Sequence, residues 1–289
     1  VVWTIHDMQA FCGAEHYMMR ECWKEGYRRE NRLEGEGGID LNRWMARQKQ
    51  KHWQRPMHIV TPSGWLADCA RESALMTGWP VQAIPYPLDL RAFAPVESAL
   101  AREFLGLPQH KKLVVFGALG GGRNYVKGFD LLIEALRRLR GEREDLDLVV
   151  FGQGEPREPL DLGFPVHYSG HLHDYLSLRI VCSADEVMVV PFRMEAFGQT
   201  AMEAYACGTP VVAFDAIELC DIVTHQQTGY LATTYEPTDL AHGITWTLDH
   251  NPAHHHPLSH AARAKAEQEY DPEKVAGEYV GLYEEVCKN

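Results

Sequence analysis

Short, uninterrupted apolar runs recur through the second half of the chain, separated by polar and amphipathic segments. A run without polar alternation is typical of a strand that is buried on both faces of a parallel sheet. Most of the intervening segments have a suitable length for a right-handed helical crossover or a turn. The pattern predicts an α/β fold with a doubly wound, Rossmann-like parallel sheet. The predicted strands are residues 113–116, 146–151, 166–169, 187–190 and 211–214.

A helix is predicted shortly after the first of these strands. Apolar side chains recur there at the three- and four-residue spacing of one helix face, and charged side chains occupy the other positions. The glycine-rich loop 117–122 connects the strand to this helix. The predicted apolar face consists of Phe129, Leu132, Ile133, Leu136 and Leu139.

Residues 1–108 are predicted to form part of an N-terminal α/β domain together with its linker. The segment 1–5 has the composition of a strand, and Ser63 suits the N-cap of a helix that runs to Ala70. Several prolines lie in the stretch that leads into the next domain, which is typical of a linker. Residues 109–270 then form the ligand-binding domain.

The chain is expected to end in a helix over residues 271–289. Asp271 suits the N-cap, and Pro272 suits the first helical position because its missing N–H is not needed there. This helix packs either against the N-terminal domain or against its own domain, and the sequence leaves both positions open. Its apolar stripe consists of Val275, Tyr279, Leu282, Tyr283 and Val286.

Two glutamates flank the loop that follows the apolar run 187–190. Glu195 precedes a Phe-Gly turn, and Glu203 lies on the predicted helix after the turn. Free N–H groups at a helix N-terminus bind anions, and parallel sheets bind ligands at the carboxyl edge of their strands. A diphosphate with a hydroxyl-rich group at each end would therefore meet one carboxylate at each end. Alternatively, both glutamates are solvated residues beside an ordinary βα turn.

Two cations lie between the first predicted strand and its helix. Arg123 offers a planar fork and Lys127 a point charge, and both suit a phosphate group. The glycines alone indicate little, because neither the loop 117–122 nor Gly152-Gln153-Gly154 completes a G-x-G-x-x-G fingerprint. The alternative is that both cations are ordinary surface charges.

These residues together resemble the signature of the retaining glycosyltransferases of family 4, which have the GT-B fold. The string from Glu195 to Glu203, the following Cys207-Gly208-Thr209-Pro210 and the Arg123…Lys127-Gly128 motif carry the likeness. The resemblance implies that Glu195 holds the donor sugar and that Glu203 holds the ribose of the nucleotide. It also implies that Arg123 and Lys127 neutralise the leaving nucleoside diphosphate, so that neither a metal ion nor another cofactor is required.

The resemblance assigns further residues to the donor. One group binds the diphosphate through its backbone, another lies in the glycine-rich loop, and a third contacts the nucleobase largely through backbone groups. His171, in the third group, is alternatively an exposed loop residue. The groups are Phe197, Gly198, Gln199 and Thr200 for the diphosphate, Gly120 and Gly121 for the glycine-rich loop, and Gly170, His171 and Leu172 for the nucleobase.

The resemblance extends into the N-terminal segment, where His6-Asp7-Met8 and Gly13…His16-Tyr17 look like the acceptor-side domain of a subgroup of these transferases. An imidazole at the end of a strand can hydrogen-bond a sugar hydroxyl or stabilise charge near the anomeric carbon, which makes His6 a candidate catalytic residue. Alternatively, His6 and Asp7 cap a turn. Relatives have a longer segment before such a strand, so the chain is expected to lack the start of this domain. Tyr86 stands where many relatives carry asparagine.

Composition and charge narrow the choice of function. The 289 residues carry a net charge of −12, which argues against general nucleic-acid binding because that requires a basic footprint. Seven cysteines without a C-x-x-C pair indicate a reduced, cytoplasmic protein. The sequence contains no uninterrupted run of about 18 apolar residues, so it predicts no membrane span. Three consecutive histidines, 254–256, cannot all face one ion, and no metal site is expected.

Residues 20–55 are rich in arginine and lysine, with glutamates interleaved in their first half. The segment is either a solvated surface of mixed charge or a surface that faces an anionic acceptor or a membrane. A membrane contact would place the protein peripherally at the inner face of the membrane.

The sequence therefore predicts a retaining glycosyltransferase that moves a sugar from a nucleoside diphosphate sugar to an acceptor hydroxyl. The acceptor is a carbohydrate, a lipid-linked molecule or a small molecule. Two alternatives stay open: a nucleotide-sugar epimerase or hydrolase of the same fold, and a module that binds a nucleotide sugar without turnover.

Overall fold

The computed structural model describes residues 1–32, 37–117, 119–120, 124–158, 161–216, 218–251 and 257–288. Contacts divide the chain into two compact units. Unit 1 contains Val1–Tyr86, Met194–Phe197 and Glu273–Asn289, and unit 2 contains Pro87–Arg193 and Gly198–Pro272.

The described residues contain nine strands and eleven α-helices. The strands are β1 (Val2–Thr4), β2 (His58–Thr61), β3 (Val81–Ala83), β4 (Lys112–Gly117), β5 (Leu146–Phe151), β6 (Val166–Gly170), β7 (Val187–Val190), β8 (Val211–Phe214) and β9 (Gly229–Ala232). The helices are α1 (Cys22–Glu25), α2 (Leu41–His52), α3 (Gly64–Glu72), α4 (Ser98–Leu105), α5 (Phe129–Arg138), α6 (Tyr175–Ala184), α7 (Gln199–Ala206), α8 (Leu219–Ile222), α9 (Pro237–His250), α10 (Pro257–Glu269) and α11 (Pro272–Lys288).

Unit 2 is built on a six-stranded sheet with the order β6-β5-β4-β7-β8-β9. All five neighbouring pairs are parallel, which confirms the predicted α/β class and the predicted parallel sheet. The chain builds outward from β4 in one direction and then from β7 in the other. The switch between these two directions is the position where open α/β sheets bind their ligands.

The strands in the middle of this sheet are buried on both faces, and this explains why their apolar runs predicted them. Every residue of β5, β7 and β8 is buried. The edge strand β9 was not predicted, because it starts at a glycine, a residue that is depleted in strands. A Cβ atom on Gly229 would lie 1.9 Å from the carbonyl oxygen of Val211, so only glycine allows β9 to pair with β8 at this point.

Helix α5 forms after β4 as the sequence predicted, and its buried stripe is wider than the predicted face, of which Phe129, Leu132, Leu136 and Leu139 are buried. Leu131 and Ala135 are buried, whereas Ile133 is only half-buried. The helix packs against α9, and Phe129 stacks on Phe116 of β4, so more of the helix surface is buried than the predicted face.

Residues 87–108, which the sequence analysis grouped with the N-terminal domain and its linker, belong to unit 2. The reason is a buried ion pair that the sequence pattern does not show. Arg102 on α4 donates to Glu186 at 2.7 Å and to the carbonyl oxygen of Ala184 at 2.8 Å. Glu186 also accepts from the backbone N–H of Leu113, which ties α4 to the start of β4.

Unit 1 contains a three-stranded parallel sheet with the order β1-β2-β3. Ser63 caps α3 through a hydrogen bond from the N–H of Leu66, as the sequence predicted. Helix α11 packs on this sheet, where Val275 and Leu282 join Val60 and Ile84 in one buried cluster. Of the two positions left open for the final helix, the structure shows the one on the N-terminal sheet.

No α-helix within the described ranges combines the length and the apolar composition needed to cross a bilayer.

Candidate functional site

Three glycine loops lie side by side at the carboxyl edge of the unit 2 sheet. The N–H of Gly120, after β4, donates to the carbonyl oxygen of Gly152 at 3.0 Å. The N–H of Gly152, after β5, donates to the carbonyl oxygen of Gly170 at 2.8 Å. All three glycines have positive φ values, between 61° and 82°, which glycine adopts without steric cost. Backbone hydrogen bonds therefore link Gly120, Gly152 and Gly170 in a row at this edge.

Lys127 is held at the same edge. It ends a short 3₁₀ helix that Asn124 caps, and its Nζ lies 4.1 Å from the ring centroid of Phe192, just after β7. The next residue, Gly128, has a φ of 64°, and a Cβ atom there would lie 1.8 Å from the carbonyl oxygen of Pro191. The Lys-Gly pair is thus fixed against the end of β7, and Gly128 accepts no larger side chain without movement of the backbone.

Arg193 reinforces this contact, and the sequence analysis missed it. Its buried guanidinium donates to both carboxylate oxygens of Asp130, at 2.7 and 2.6 Å, and to the carbonyl oxygen of Tyr125 at 2.8 Å. It also lies 3.9 Å from the ring centroid of Tyr125. The hydrogen bonds from Arg193 lower the pKa of Asp130. The available signal was an arginine shortly after a buried strand together with an aspartate in the first turn of α5.

Helix α7 begins directly after the loop that follows β7. Its N-cap is Gly198, with a φ of 78°, and a Cβ atom there would lie 2.9 Å from Cδ2 of Leu219. No side chain caps the helix, so the first amides, at Gln199 and Thr200, point out of the helix without an intrahelical acceptor. This is the geometry that binds an anion.

Glu203 lies one turn into α7, and its side chain is half-buried. Burial raises the pKa of its carboxyl to about 7, and no hydrogen bond of this carboxylate to another described residue offsets the desolvation. A buried charge without a partner is costly, and such groups are concentrated at functional sites. Glu203 therefore changes its charge near neutral pH.

Glu195 and Phe197, which the sequence grouped with this site, belong by their contacts to unit 1. Glu195 Oε1 accepts from Tyr17 Oη at 3.3 Å and from the N–H of Ala196 at 3.0 Å. Ser63 Oγ donates to the carbonyl oxygen of Ala196 at 2.8 Å. The predicted pair of glutamates is thus divided: Glu195 is held by unit 1, and Glu203 by unit 2.

His6 and Tyr86 form a second cluster within unit 1. His6 Nδ1 and Tyr86 Oη lie 2.7 Å apart in hydrogen-bond contact, and Tyr86 packs edge-on against Phe197 at 4.9 Å. Burial, with a smaller effect from the charge of Glu195, raises the pKa of Tyr86 to about 12. The Tyr86 hydroxyl is therefore neutral at physiological pH. The sequence analysis noted Tyr86 only as a departure from asparagine.

Asp7 has the turn-capping position that the sequence offered as an alternative. Its carboxylate accepts from the N–H of Gln9 at 2.8 Å and from His16 Nδ1 at 2.6 Å. His6 does not share that role.

Lys49 organises the loop after β1 and was not predicted. Its buried ammonium donates to the carbonyl oxygens of Cys12 at 2.9 Å and Gly13 at 2.7 Å, and also to that of Gln9. Burial lowers the pKa of Lys49. Lys49, which lies on α2, thus fixes the loop that begins at His6 to this helix.

Some of the remaining predicted residues lie within the described ranges and others lie outside them. Gly170 and Leu172 are half-buried, and His171 is exposed beside His173, with 6.2 Å between the ring centroids. Arg123 and Gly121 lie outside the described residues, as does the histidine run 254–256.

Comparison with known proteins gives the family. The family described as "Glycosyl transferases group 1" matches residues 101–267, which is more than half of the chain. An uncharacterised glycosyltransferase of Methanocaldococcus jannaschii is 30% identical over 189 residues, covering 63% of this chain and 47% of the relative. A GDP-mannose-dependent alpha-(1-6)-phosphatidylinositol dimannoside mannosyltransferase of Mycobacterium tuberculosis is 30% identical over 188 residues, covering 64% and 47%. The matched regions span less than half of each relative.

A solved structure is similar in fold. The sucrose-phosphate synthase of Thermosynechococcus elongatus superposes with a TM-score of 0.75 at 24% sequence identity, over 99% of this chain and 68% of that protein. This likeness concerns the fold alone.

Proposed function

Because the chain belongs to the group 1 glycosyltransferases, we propose that it transfers a sugar from a nucleoside diphosphate sugar to an acceptor hydroxyl with retention of anomeric configuration, as family 4 enzymes do. The observation that carries the proposal is Glu203, a half-buried carboxylate with a pKa of about 7 on the helix whose uncapped first amides suit an anion. A ribose diol would supply the hydrogen-bond donors that this carboxylate lacks among the described residues.

The donor is bound in three parts in this proposal. The amides at the start of α7 and the ammonium of Lys127 hold the diphosphate, Glu203 holds the ribose, and the loop 170–172 contacts the base. Arg123 adds a second cation to the diphosphate. The name of the mycobacterial relative, which specifies GDP-mannose, supports a nucleoside diphosphate sugar as the donor class.

In the proposed reaction, the chain stabilises the negative charge that develops on the leaving diphosphate. The bond from the anomeric carbon to the diphosphate oxygen breaks while the acceptor oxygen forms a bond on the same face of the sugar. The departing phosphate takes the proton of the acceptor hydroxyl. Cations and helix amides aimed at the developing negative charge lower the barrier, which is often the largest catalytic effect in an enzyme. Glu195 orients the sugar, and His6 stabilises charge near the anomeric carbon.

Residues of this chain perform the neutralisation that a divalent cation performs in other transferases, so the proposal includes no metal or other cofactor. The acceptor is a carbohydrate, a lipid-linked molecule or a small molecule.

All seven cysteines are free thiols, which supports a reducing cytoplasmic setting.

The test is a product analysis by NMR with a panel of nucleoside diphosphate sugars and a saccharide acceptor mixture, with and without EDTA. We expect a new glycosidic linkage of the same anomeric configuration as the donor, formed equally with EDTA. A free sugar or an epimerised donor, formed without any acceptor, would show a hydrolase or an epimerase instead. Donor binding with no product would indicate a binding module.

A further inference from the structure

An exposed apolar and basic surface lies on α2 of unit 1, and the donor site does not include it. Its apolar members are Ile39, Leu41 and Trp44, whose exposed fractions are 81%, 60% and 53%. Trp44 and Leu41 are three residues apart on one face of the helix, and Ile39 immediately precedes the N-cap residue Asp40. Large apolar side chains this exposed, and this close together, mark an interaction surface rather than scattered exceptions.

Cations border these apolar side chains. Arg47 and Lys51 follow Trp44 at intervals of three and seven residues, so both lie on the same side of α2, and both are exposed. Neither forms an ion pair in the part of the chain that the structure describes. Residues 41–55 contain five lysines and arginines and no aspartate or glutamate, in a chain with a net charge of −12.

The opposite side of α2 is already occupied. Ala46 is buried, and the ammonium of Lys49 is held by the loop after β1. Asn42 packs so closely on that loop that a Cβ atom on Gly13 would lie 2.6 Å from its Cα. Asp40 caps the helix by accepting from the N–H of Arg43 at 2.9 Å. The helix is therefore fixed to unit 1 by its inner side, and its apolar and basic side faces outward.

We propose that this surface of α2, defined by Ile39, Leu41, Trp44, Arg47 and Lys51, binds the surface of an anionic lipid bilayer. Indole rings and aliphatic side chains enter the boundary between headgroups and acyl chains, and lysine and arginine side chains bind the lipid phosphates. The charge complementarity is local, because the rest of the chain is acidic and is repelled by the same membrane. Nucleic acid would meet the same cations but would not use three exposed apolar side chains. Binding to a bilayer does not depend on the proposed glycosyl transfer.

The test is co-sedimentation of the protein with vesicles. We expect binding to vesicles of phosphatidylcholine mixed with phosphatidylglycerol, weak binding to phosphatidylcholine alone, and release by salt, which screens the attraction to an anionic surface. Each cation near an anionic surface contributes about a fivefold factor, so Arg47→Gln with Lys51→Gln should weaken binding about 30-fold. Trp44→Ser should weaken it roughly tenfold or more by removing apolar burial.

Matched controls lie elsewhere on the surface. Phe104→Ser removes an aromatic side chain that is 74% exposed on α4, and Arg137→Gln removes an exposed cation on α5. Both should bind vesicles like the unchanged protein, and circular dichroism should show all variants folded. The proposal is wrong if the α2 variants bind as tightly as the controls, or if neutral vesicles bind equally well. A dimer in solution that Trp44→Ser dissociates, without vesicle binding, would instead assign this surface to a second copy of the chain.

Discussion

Glu203 shows how one residue can cost stability and supply function. Its carboxyl ionises at an ordinary pKa of 4.5 when solvated and at about 7 in the folded chain, and desolvation is the cause. Folding therefore favours the neutral acid, while binding a ribose favours the carboxylate, because a carboxylate accepts a strong, charge-assisted hydrogen bond at each oxygen and the neutral acid accepts only weaker ones. The residue is poorly adapted to the unliganded protein and well adapted to the proposed ligand.

The variant Glu203→Gln tests this conflict. Below pH 4.5 both side chains are neutral, and the two proteins should unfold alike. As the pH rises from 4.5 to about 7, the unfolded chain ionises before the folded one, so the wild type loses stability that the variant keeps. Above about pH 7 the variant should be more stable by at most ~3 kcal/mol. Urea unfolding at pH 5 and pH 8 measures the difference.

Donor affinity of the wild type should rise with pH over the range in which its folding stability falls. Wild-type affinity should increase between pH 6 and pH 8 as Glu203 ionises, and the glutamine variant should bind more weakly with little dependence on pH. A variant that gains no stability at pH 8 would contradict the burial cost assigned to Glu203.

At the scale of elements, residues 124–128, which lead into α5, are fixed to the end of β7 from both sides. Gly128 lies against the carbonyl oxygen of Pro191, and Arg193 reaches back to Asp130 and Tyr125. The N–H of Arg193 also donates to the carbonyl oxygen of Val126 at 2.8 Å. Lys127 lies inside this contact, so its ammonium is placed by the junction of two strand–loop units rather than by a flexible loop.

Alanine substitutions at two glycines separate the stability cost of a steric clash from the stability cost of a left-handed backbone conformation. Gly128 and Gly141 have positive φ values of 64° and 80°, but only Gly128 has atoms in the way of a Cβ. Gly141→Ala should cost about 1–2 kcal/mol from the left-handed conformation alone. Gly128→Ala should cost at least about 2 kcal/mol more, because the backbone must move. Denaturant unfolding measures both, and equal losses would contradict the close approach to Pro191.

At the scale of the whole molecule, the sequence predicted the elements that repeat a simple pattern and missed those that depend on distant contacts. Strands such as β5 and β7 are buried on both faces and read as apolar runs. The edge strand β9 depends on the approach of Gly229 to β8, and the assignment of α4 to unit 2 depends on Arg102 meeting Glu186. No local pattern carries either contact.

The same distinction applies to the site. Glu203, Lys127 and the glycine loops could be placed at the carboxyl edge of the sheet from the sequence because they follow predicted strands, and their roles in donor binding stay predictions. Arg193, Lys49 and Tyr86 could not, since each acts through partners far away in the chain. The contacts that hold Glu195 to Tyr17 and to Ala196 were equally invisible in the motif.

Donor binding by the full chain tests the central claim most directly. In a thermal-shift or calorimetric titration, a nucleoside diphosphate sugar at 100 times its dissociation constant should stabilise the protein by about 2.7 kcal/mol. Lys127→Ala and Glu203→Ala should each weaken that binding at least tenfold, because each removes a hydrogen bond involving a charged group. Arg137→Ala, on the exposed side of α5, should leave it unchanged. If no nucleoside diphosphate sugar binds, or if both variants bind the donor as tightly as the wild type, the account is wrong.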